Sequence, residues 1–249
     1  MPRICNRLSL AALALGCIAL MGCAAVPRAE RNPADPWQRM NRATFSFDYQ
    51  FYTHVAEPVA ETYVRLTPSP IRRGISNFFD NLAYPTVIVN DLLQGQLSAF
   101  GRDTARLLVD TTLGIGGLMD PATRMGLARD DRDFGQTFGK WGIPTGPYLV
   151  LPILGPSDLR DALGLVPAVF TSPLYYVNNT AATYSTAGVE TLNTTAGMLP
   201  DLKLDRQAYD HYAFARDVYL SKRRFMVEGS RKHKGAEQEL QELEQSGGN

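Results

Sequence analysis

Cysteine is scarce in this sequence and is confined to its beginning. The chain of 249 residues has three cysteines, Cys5, Cys17 and Cys23, so nothing beyond Cys23 carries a thiol. This distribution excludes disulfides, thiolate zinc clusters and a cysteine nucleophile from the body of the chain. The body must therefore be held together by packing, hydrogen bonds and ion pairs.

Residues that carry enzymatic chemistry are equally sparse. No Gly-x-Ser-x-Gly nucleophile elbow is present. Gly114 and Gly116 lack the third glycine of a dinucleotide-binding turn, because Met119 stands at its position. No two histidines have the spacing of a metal-ligating pair; they are His54, His211 and His233. We therefore expect no enzymatic activity, no cofactor and no metal site.

Two groups of charged residues are given structural roles. The acidic run at 130–133 lacks the glycine and the terminal glutamate of a calcium-binding loop, and it is predicted to be a solvated loop. The second group precedes an apolar run and predicts an ion-pair or capping cluster at the start of a helix. It comprises Asp158, Arg160 and Asp161.

An excess of charge of one sign is also absent. Lys and Arg together number 25, and so do Asp and Glu. This balance argues against a nucleic-acid-binding protein, which would present a basic face, and against membrane attachment by bulk positive charge. After Cys23 no uninterrupted apolar run reaches the roughly 20 residues that a spanning helix needs. The length favours one domain with a sizeable core.

The first residues have the pattern of a targeting segment. Arg3 and Arg7 precede an apolar stretch at 8–20, which ends in Leu20-Met21-Gly22-Cys23. A small residue directly before a cysteine, after an apolar run, resembles the lipobox of bacterial lipoproteins. The alternative is an ordinary secretory signal with a chance cysteine, but 20–22 lacks the first small residue of that cleavage site. We predict a signal peptide at 1–22 and lipidation of Cys23.

The residues after Cys23 bear on location and reach. Ala24 stands where the aspartate of the familiar inner-membrane retention signal would be, which favours the outer membrane. A polar, proline-containing linker is predicted up to Pro36, so that 23–36 would tether the domain to its lipid anchor. The domain itself is predicted at 37–228. The charged segment 229–249 is predicted to be a disordered or loosely helical tail.

Apolar residues recur at helical spacing through most of the body, so the predicted fold class is mainly α in a single domain. Ser69 is predicted to cap a helix that precedes a separate one starting near Tyr84 and Pro85, and a longer helix follows at 97–111. The segment 134–156 is rich in glycine, proline and aromatics. It is predicted to be a fixed, irregular element with one strand near 148–151. Its aromatics are expected to be buried, namely Phe134, Phe138, Trp141 and Tyr148. Helices are predicted at 167–176, 177–198 and 204–227.

A glycine cluster follows the helix predicted at 97–111. Gly114, Gly116 and Gly117 lie within four residues. Glycine adopts backbone conformations that other residues avoid, so such a cluster either ends a helix or acts as a hinge. Both alternatives remain open at this point, and the three glycines are the candidate hinge.

An ordered set of motifs resembles the MlaA/VacJ lipoproteins. The set opens with Asp35-Pro36-Trp37-Gln38-Arg39-Met40-Asn41-Arg42 and Phe45-Ser46-Phe47-Asp48. It continues with Asn77-Phe78-Phe79-Asp80-Asn81-Leu82, Val89-Asn90-Asp91-Leu92-Leu93-Gln94-Gly95 and Thr111-Thr112-Leu113-Gly114-Ile115-Gly116-Gly117. Further blocks lie at 134–139, 141–142, 146–148, 151–152, 155–157 and 159–161. Each block alone is modest, but the ordered set is specific.

The resemblance implies a fold and a function. The fold would be a ring of short amphipathic helices lying in the inner leaflet around a central channel. The protein would be an outer-membrane lipoprotein on the periplasmic side of a Gram-negative bacterium. It would remove mislocalised phospholipid from the outer leaflet and pass it to a periplasmic lipid carrier. Trimeric porins are expected partners. A structural lipoprotein that scaffolds porins is the alternative, and a lipid hydrolase is a third.

Overall fold

The computed structural model describes residues 32–205 and 209–246, with side chains described as far as Pro200 and again from Tyr209 to Glu228. The predicted signal peptide, Cys23 and most of the predicted linker lie outside the described residues. The fold is mostly helical, as the sequence predicts, and one small hairpin interrupts the helices.

The helices and strands follow one another in a single chain order. The first part comprises α1 (Gln38–Phe51), a π-helical turn (Tyr52–Ala56), α2 (Glu57–Leu66), α3 (Ser69–Leu93), α4 (Leu97–Thr112) and α5 (Pro121–Arg124). The second part comprises α6 (Phe134–Lys140), β1 (Tyr148–Leu151), β2 (Gly155–Asp158), α7 (Leu159–Thr171), a 3-10 turn (Pro173–Tyr176), α8 (Thr180–Asp205) and α9 (His211–Ser246).

Helix α3 is longer than the sequence predicts. It runs from Ser69 to Leu93 with Pro85 inside it, so the predicted break at Tyr84 and Pro85 is wrong. Proline removes one backbone hydrogen bond at a cost of about 3 kcal/mol in an isolated helix. Here buried residues on both sides of Pro85, including Tyr84 and Val87, hold the helix continuous. Ser69 lies within the first turn, and Pro68 is the cap residue instead.

The glycine- and proline-rich segment contains more regular structure than predicted. The strand at Tyr148–Leu151 is confirmed, but a second strand pairs with it antiparallel, with Tyr148 opposite Asp158. Helix α6 was not predicted, although Asp133 and Gln136 have the spacing of a capping box. The Asp133 carboxylate accepts a hydrogen bond from the Gln136 backbone N–H at 2.7 Å. The Trp141 side chain is exposed rather than buried.

The start of α7 is formed as the sequence predicts. Asp158 caps the helix by accepting a hydrogen bond from the Asp161 backbone N–H at 2.9 Å. The Arg160 guanidinium contacts the Asp161 carboxylate at 3.2 Å and the Asp158 carboxylate at 3.7 Å. The predicted ion-pair and capping cluster is therefore confirmed. Pro167 lies inside α7 rather than at the start of a new helix.

The last helix starts later and extends further than predicted. Asp210 accepts a hydrogen bond from the Ala213 backbone N–H at 3.1 Å, which places the start of α9 at His211 rather than near Leu204. The helix continues to Ser246, through most of the segment for which a disordered tail is predicted. Glu, Gln, Lys and Leu dominate that segment, and these residues favour helix. The helical alternative therefore describes its backbone.

The interior is polar rather than apolar. Among the residues whose side chains are described, buried polar and charged ones outnumber buried apolar ones. An apolar cluster among the described side chains is small and lies where the hairpin meets α1 and α9. It consists of Tyr148, Val150 and Tyr212, with Phe45, Tyr219 and Leu220 packed against it. None of the helices within the described residues is both long and apolar enough to cross a bilayer.

Candidate functional site

Large apolar side chains cover much of the outer surface. In α7, Leu163, Val166 and Phe170 are each more than half exposed. In the neighbouring turn Tyr176 is 65% exposed, and in α2 Leu66 is 79% exposed. Soluble monomers rarely expose contiguous apolar patches beyond a few hundred Å², and larger ones mark membrane or protein contacts. The apolar helix stripes therefore do not form a buried core of the ordinary kind.

Helix α4 buries its polar face and exposes its apolar face, the reverse of an amphipathic helix in a soluble protein. Its buried residues are Ala99, Asp103, Arg106 and Asp110, which recur at helical spacing and are mostly charged. Leu97 and Leu108 on the same helix are exposed. The sequence predicts an amphipathic helix here, but the face that turns inward is the polar one.

Arg106 is the centre of a buried polar network. Its guanidinium donates to the Asp120 carboxylate at 2.6 Å and to the Thr123 hydroxyl at 2.9 Å. It also lies 3.5 Å from the Asp110 carboxylate. The Arg106 side chain is 1% exposed, so its charge is compensated entirely within the protein. Asp120 in turn caps α5 through the Thr123 backbone N–H.

Three carboxylates meet beside this network. Oxygen atoms of Asp91, Asp103 and Asp130 lie within 4.8 Å of one another. Arg132 lies 3.0 Å from Asp91 and 2.8 Å from Asp130, while Arg102 binds both Asp103 and Asp130. The two guanidinium groups offset most of this negative charge. Asp130 is therefore part of an ion-pair network, and the prediction of a solvated loop is wrong for it.

Burial of the carboxylates changes their protonation. The pKa of Asp91 is raised to about 7, mainly by burial; Arg132 opposes this rise, and the neighbouring Asp103 and Asp130 add to it. Burial also acts on Asp130, but there Arg132 and Arg102 outweigh it and lower its pKa. Asp91 is fully buried. A proton is therefore held at Asp91 up to near-neutral pH.

A second polar network fixes the start of the described chain. The Asn41 amide donates to the Asp35 carboxylate and to the Tyr148 carbonyl, each at 2.9 Å, and its oxygen accepts from the Val150 N–H. The Tyr212 hydroxyl donates to the same Asp35 carboxylate. Asp35 and Asn41 are both buried. The residues just before α1 are thus tied to the hairpin and to α9.

A cavity of about 440 Å³ lies between the loop after α6, the start of α7 and the middle of α9. This volume is within the range of small-ligand sites. Its walls combine the loop backbone at 142–146, apolar side chains and the side chains of Arg160, Arg223, Arg224 and Glu228. The sequence does not reveal this cavity, because its walls come from four separate parts of the chain, one of them at Ala34.

The three glycines of the candidate hinge lie together just after α4. A side chain at Gly114 would overlap the Asp110 carbonyl, and a Cβ at Gly117 would lie 2.6 Å from the Asn81 Cβ. Gly116 has open space around it and a φ of +67°. The Gly117 N–H donates to the Asp110 carbonyl at 2.9 Å, which satisfies a carbonyl group at the end of the helix. Gly114 and Gly117 are therefore required by close packing.

Comparison with known proteins assigns the family. The model of the family described as MlaA lipoprotein matches residues 33–226. The chain belongs to the MlaA lipoprotein family. It is 33% identical over 232 residues to the intermembrane phospholipid transport system lipoprotein MlaA of Escherichia coli (strain K12), and the match covers 90% of each chain. It is 31% identical over 221 residues to the protein of the same name from Haemophilus influenzae, covering 86% of this chain and 88% of that one.

A solved structure has the same fold. It comes from work on the structural basis for maintenance of bacterial outer membrane lipid asymmetry. The TM-score is 0.70 at 33% sequence identity, and the match covers 79% of this chain and 100% of the other. The resemblance to the MlaA/VacJ lipoproteins noted from the ordered motifs is therefore confirmed. The ring of helices around a central channel stays a prediction.

Proposed function

We propose that this protein transports phospholipid as a lipoprotein of the outer membrane. It removes mislocalised phospholipid from the outer leaflet through an amphipathic channel and passes it to a periplasmic carrier, which maintains the asymmetry of the membrane. The observation that carries this proposal is the reversed polarity of the fold. Many large apolar side chains are exposed on its outside, and buried polar and charged residues outnumber buried apolar ones among the described side chains.

This arrangement fits the physical problem of moving a phospholipid. Each acyl methylene brought into water costs about 0.8 kcal/mol, so the tails must stay against an apolar surface. The charged headgroup must be kept away from hydrocarbon and needs polar partners. Amphipathic helices with their apolar faces in the inner leaflet would supply the first environment, and the polar interior would supply the second. The names of the two curated relatives, which refer to phospholipid transport, support the same function.

Transfer of lipid to a carrier provides the direct test. The purified lipoprotein in nanodiscs with labelled phospholipid should load a soluble periplasmic lipid carrier of the same bacterium, and nanodiscs without the protein should not. Labelled lipid that remains in the nanodiscs would contradict the proposal and favour a porin scaffold. Mass spectrometry of the lipid tests the third alternative, because a hydrolase would leave lysophospholipid and free fatty acid.

Lipidation of Cys23 gives a separate prediction. We expect the mature protein from cells to begin at Cys23 and to carry acyl mass, because 20–23 resembles a lipobox. Replacing Cys23 with alanine should leave the precursor unprocessed by the lipoprotein route and remove the protein from the outer membrane. Intact-mass measurement reports the processing of the precursor, and membrane fractionation reports the location of the protein. An unmodified amino terminus at another residue would contradict the prediction.

We also propose that the backbone after α4 acts as a hinge beside the channel. Gly116 is the position to test, because its φ of +67° is unfavourable for other residues while nothing crowds it. Alanine at Gly116 should cost about 1 kcal/mol of stability and change lipid flux in cells. Alanine at Gly117 would also clash with Asn81, so Gly116→Ala alone separates an effect on the backbone from an effect on packing. Outer-leaflet phospholipid at the parent level in a stable Gly116→Ala variant would favour a plain helix end.

A further inference from the structure

The cavity beside α9 is lined by the guanidinium of Arg160, which is largely buried and has one nitrogen with only a weak hydrogen bond. The Arg160 side chain is 4% exposed, and its Nε and Nη2 atoms both face the Asp161 carboxylate at 3.2 Å. Its Nη1 atom makes only a long hydrogen bond of 3.4 Å to the Thr145 hydroxyl. A Cβ at Gly139 would lie 2.9 Å from Nη1, so only a glycine allows the guanidinium to lie against this part of the cavity wall.

Two further charges complete the wall. Arg224 and Glu228 line the cavity from α9, one helical turn apart, and neither has a charged or hydrogen-bonding partner within the described side chains. Arg223, by contrast, is fully engaged, since it binds Asp133 at 2.6 and 2.9 Å and also contacts Asp161. Residues four apart on a helix lie roughly 5–6 Å from each other at their Cβ atoms. The wall therefore presents the charges of Arg224 and Glu228 together with the Nη1 edge of Arg160, whose Nη2 atom contacts Asp161 and Asp158.

This pattern matches a zwitterionic phosphate ester. Arginine binds phosphate oxygens through paired N–H groups, and these charge-assisted hydrogen bonds are among the stronger ones in proteins. In phosphoethanolamine a positive ammonium follows the phosphate two carbons away, which suits a carboxylate close to the arginines. Leu220 and Val227 supply an apolar side to the same cavity. An anion alone would leave Glu228 facing a like charge.

We propose that this cavity is a binding site for a zwitterionic phospholipid headgroup, with the phosphate between Arg160 and Arg224 and the ammonium at Glu228. The identification of the phosphate ester as a lipid headgroup rests on the proposed function. The site would hold the headgroup on its way between the membrane and the carrier, at the junction of α6, α7 and α9.

Water-soluble probes test the site without transport. The lipidated protein in maltoside detergent, which carries no phosphate, is titrated calorimetrically with four compounds. These are glycerophosphoethanolamine, glycerophosphoglycerol, dihexanoyl phosphatidylethanolamine and inorganic phosphate. We expect Arg224→Gln to weaken binding of every phosphate ester roughly tenfold, since it removes one charge-assisted contact. Glu228→Gln should weaken only the two ethanolamine compounds. Lys222→Gln, on the same helix but outside the cavity wall, is the matched control and should bind like the parent.

Other results of these titrations would contradict the site, its preference for a zwitterion, or the identification of its ligand as a lipid headgroup. Equal effects of Arg224→Gln and Lys222→Gln, or no binding of any phosphate ester, would overturn the site. Equal weakening of both glycerophosphodiesters by Glu228→Gln would overturn the zwitterion preference. Inorganic phosphate that binds as tightly as the short-chain lipid would identify a free-phosphate site. A parent protein that transfers lipid but binds no probe leaves the proposed function standing, whereas one that binds headgroups and transfers no lipid contradicts only that function.

Discussion

Replacing Arg106 with methionine is expected to lower the free energy of unfolding by about 3–5 kcal/mol. The guanidinium is 1% exposed and holds Asp110 and Asp120. Removing it leaves the buried Asp110 carboxylate without a cation, while Asp120 keeps only Arg129, at 3.5 Å. Lysine at the same position keeps the charge but not the planar fork, so it should restore only part of the loss.

A surface arginine provides the control for this substitution. Arg65 is 77% exposed and lies 3.5 Å from Glu61 on the same helix. Exposed pairs of this kind contribute about 0.2–1 kcal/mol, so Arg65→Met should have little effect. Thermal unfolding followed by circular dichroism in detergent compares the three variants with the parent. A loss for Arg106→Met as small as that for Arg65→Met would show that the buried network does not stabilise the fold.

Asp91 should make the protein less stable as the pH rises from about 4 to about 7. Burial raises the pKa of Asp91 to about 7, well above its ordinary value of 3.8. The folded state therefore binds more protons than the unfolded state between these values, and the stability it gains is lost as the pH approaches 7. Each pH unit between the two pKa values contributes at most about 1.4 kcal/mol, which sets an upper limit on the order of 4 kcal/mol.

An amide at position 91 should remove this dependence. Asp91→Asn keeps the shape without the titrating proton, so its unfolding free energy should fall much less than that of the parent between pH 5 and 8 and should exceed it at pH 8. A smaller slope should remain below about pH 6, because burial also raises the pKa of Asp158, to about 6. Asp130→Asn is the matched control, because Arg132 and Arg102 lower the pKa of Asp130 and its titration lies below this range. That variant should be less stable than the parent and keep most of the slope, because Asp130 makes the smallest of the contributions to the raised pKa of Asp91. Denaturant titrations at several pH values measure the unfolding free energy of both variants. If the stability of Asp91→Asn falls with pH as steeply as that of the parent, Asp91 is not the group responsible.

Local signals in the sequence predict part of the fold well. The helix at Leu97–Thr112 and the strand at Tyr148–Leu151 follow directly from apolar spacing and from breaking residues. Helix boundaries are predicted less well where packing outweighs a local rule. Pro85 remains inside α3 because buried residues flank it on both sides. The start of α9 at His211 depends on the Asp210 cap, which one amphipathic stripe does not reveal.

The orientation of the helices is not available from periodicity. A stripe of leucines at helical spacing has the same pattern whether it faces a protein core or lipid. The polar face of α4 is buried because Asp103, Arg106 and Asp110 have neighbours on other segments. Only the three-dimensional structure shows these neighbours. The cavity is missed for the same reason, since Arg160 and Arg224 are 64 positions apart in the chain. The ordered motifs, by contrast, are sufficient to assign the family.

The hydrogen bonds that hold Asp35 to Asn41 and Tyr212 would set the length of the linker between a lipid on Cys23 and the folded domain. With an acyl group on Cys23, the membrane attachment would lie 12 positions before Asp35, the first side chain held by this network. Fully extended, such a segment spans at most about 40 Å, and as a flexible coil it averages roughly 20 Å. The hairpin and the adjoining end of α9 would therefore stay within a bilayer thickness of the leaflet, so a headgroup leaving the membrane would have only a short distance to travel.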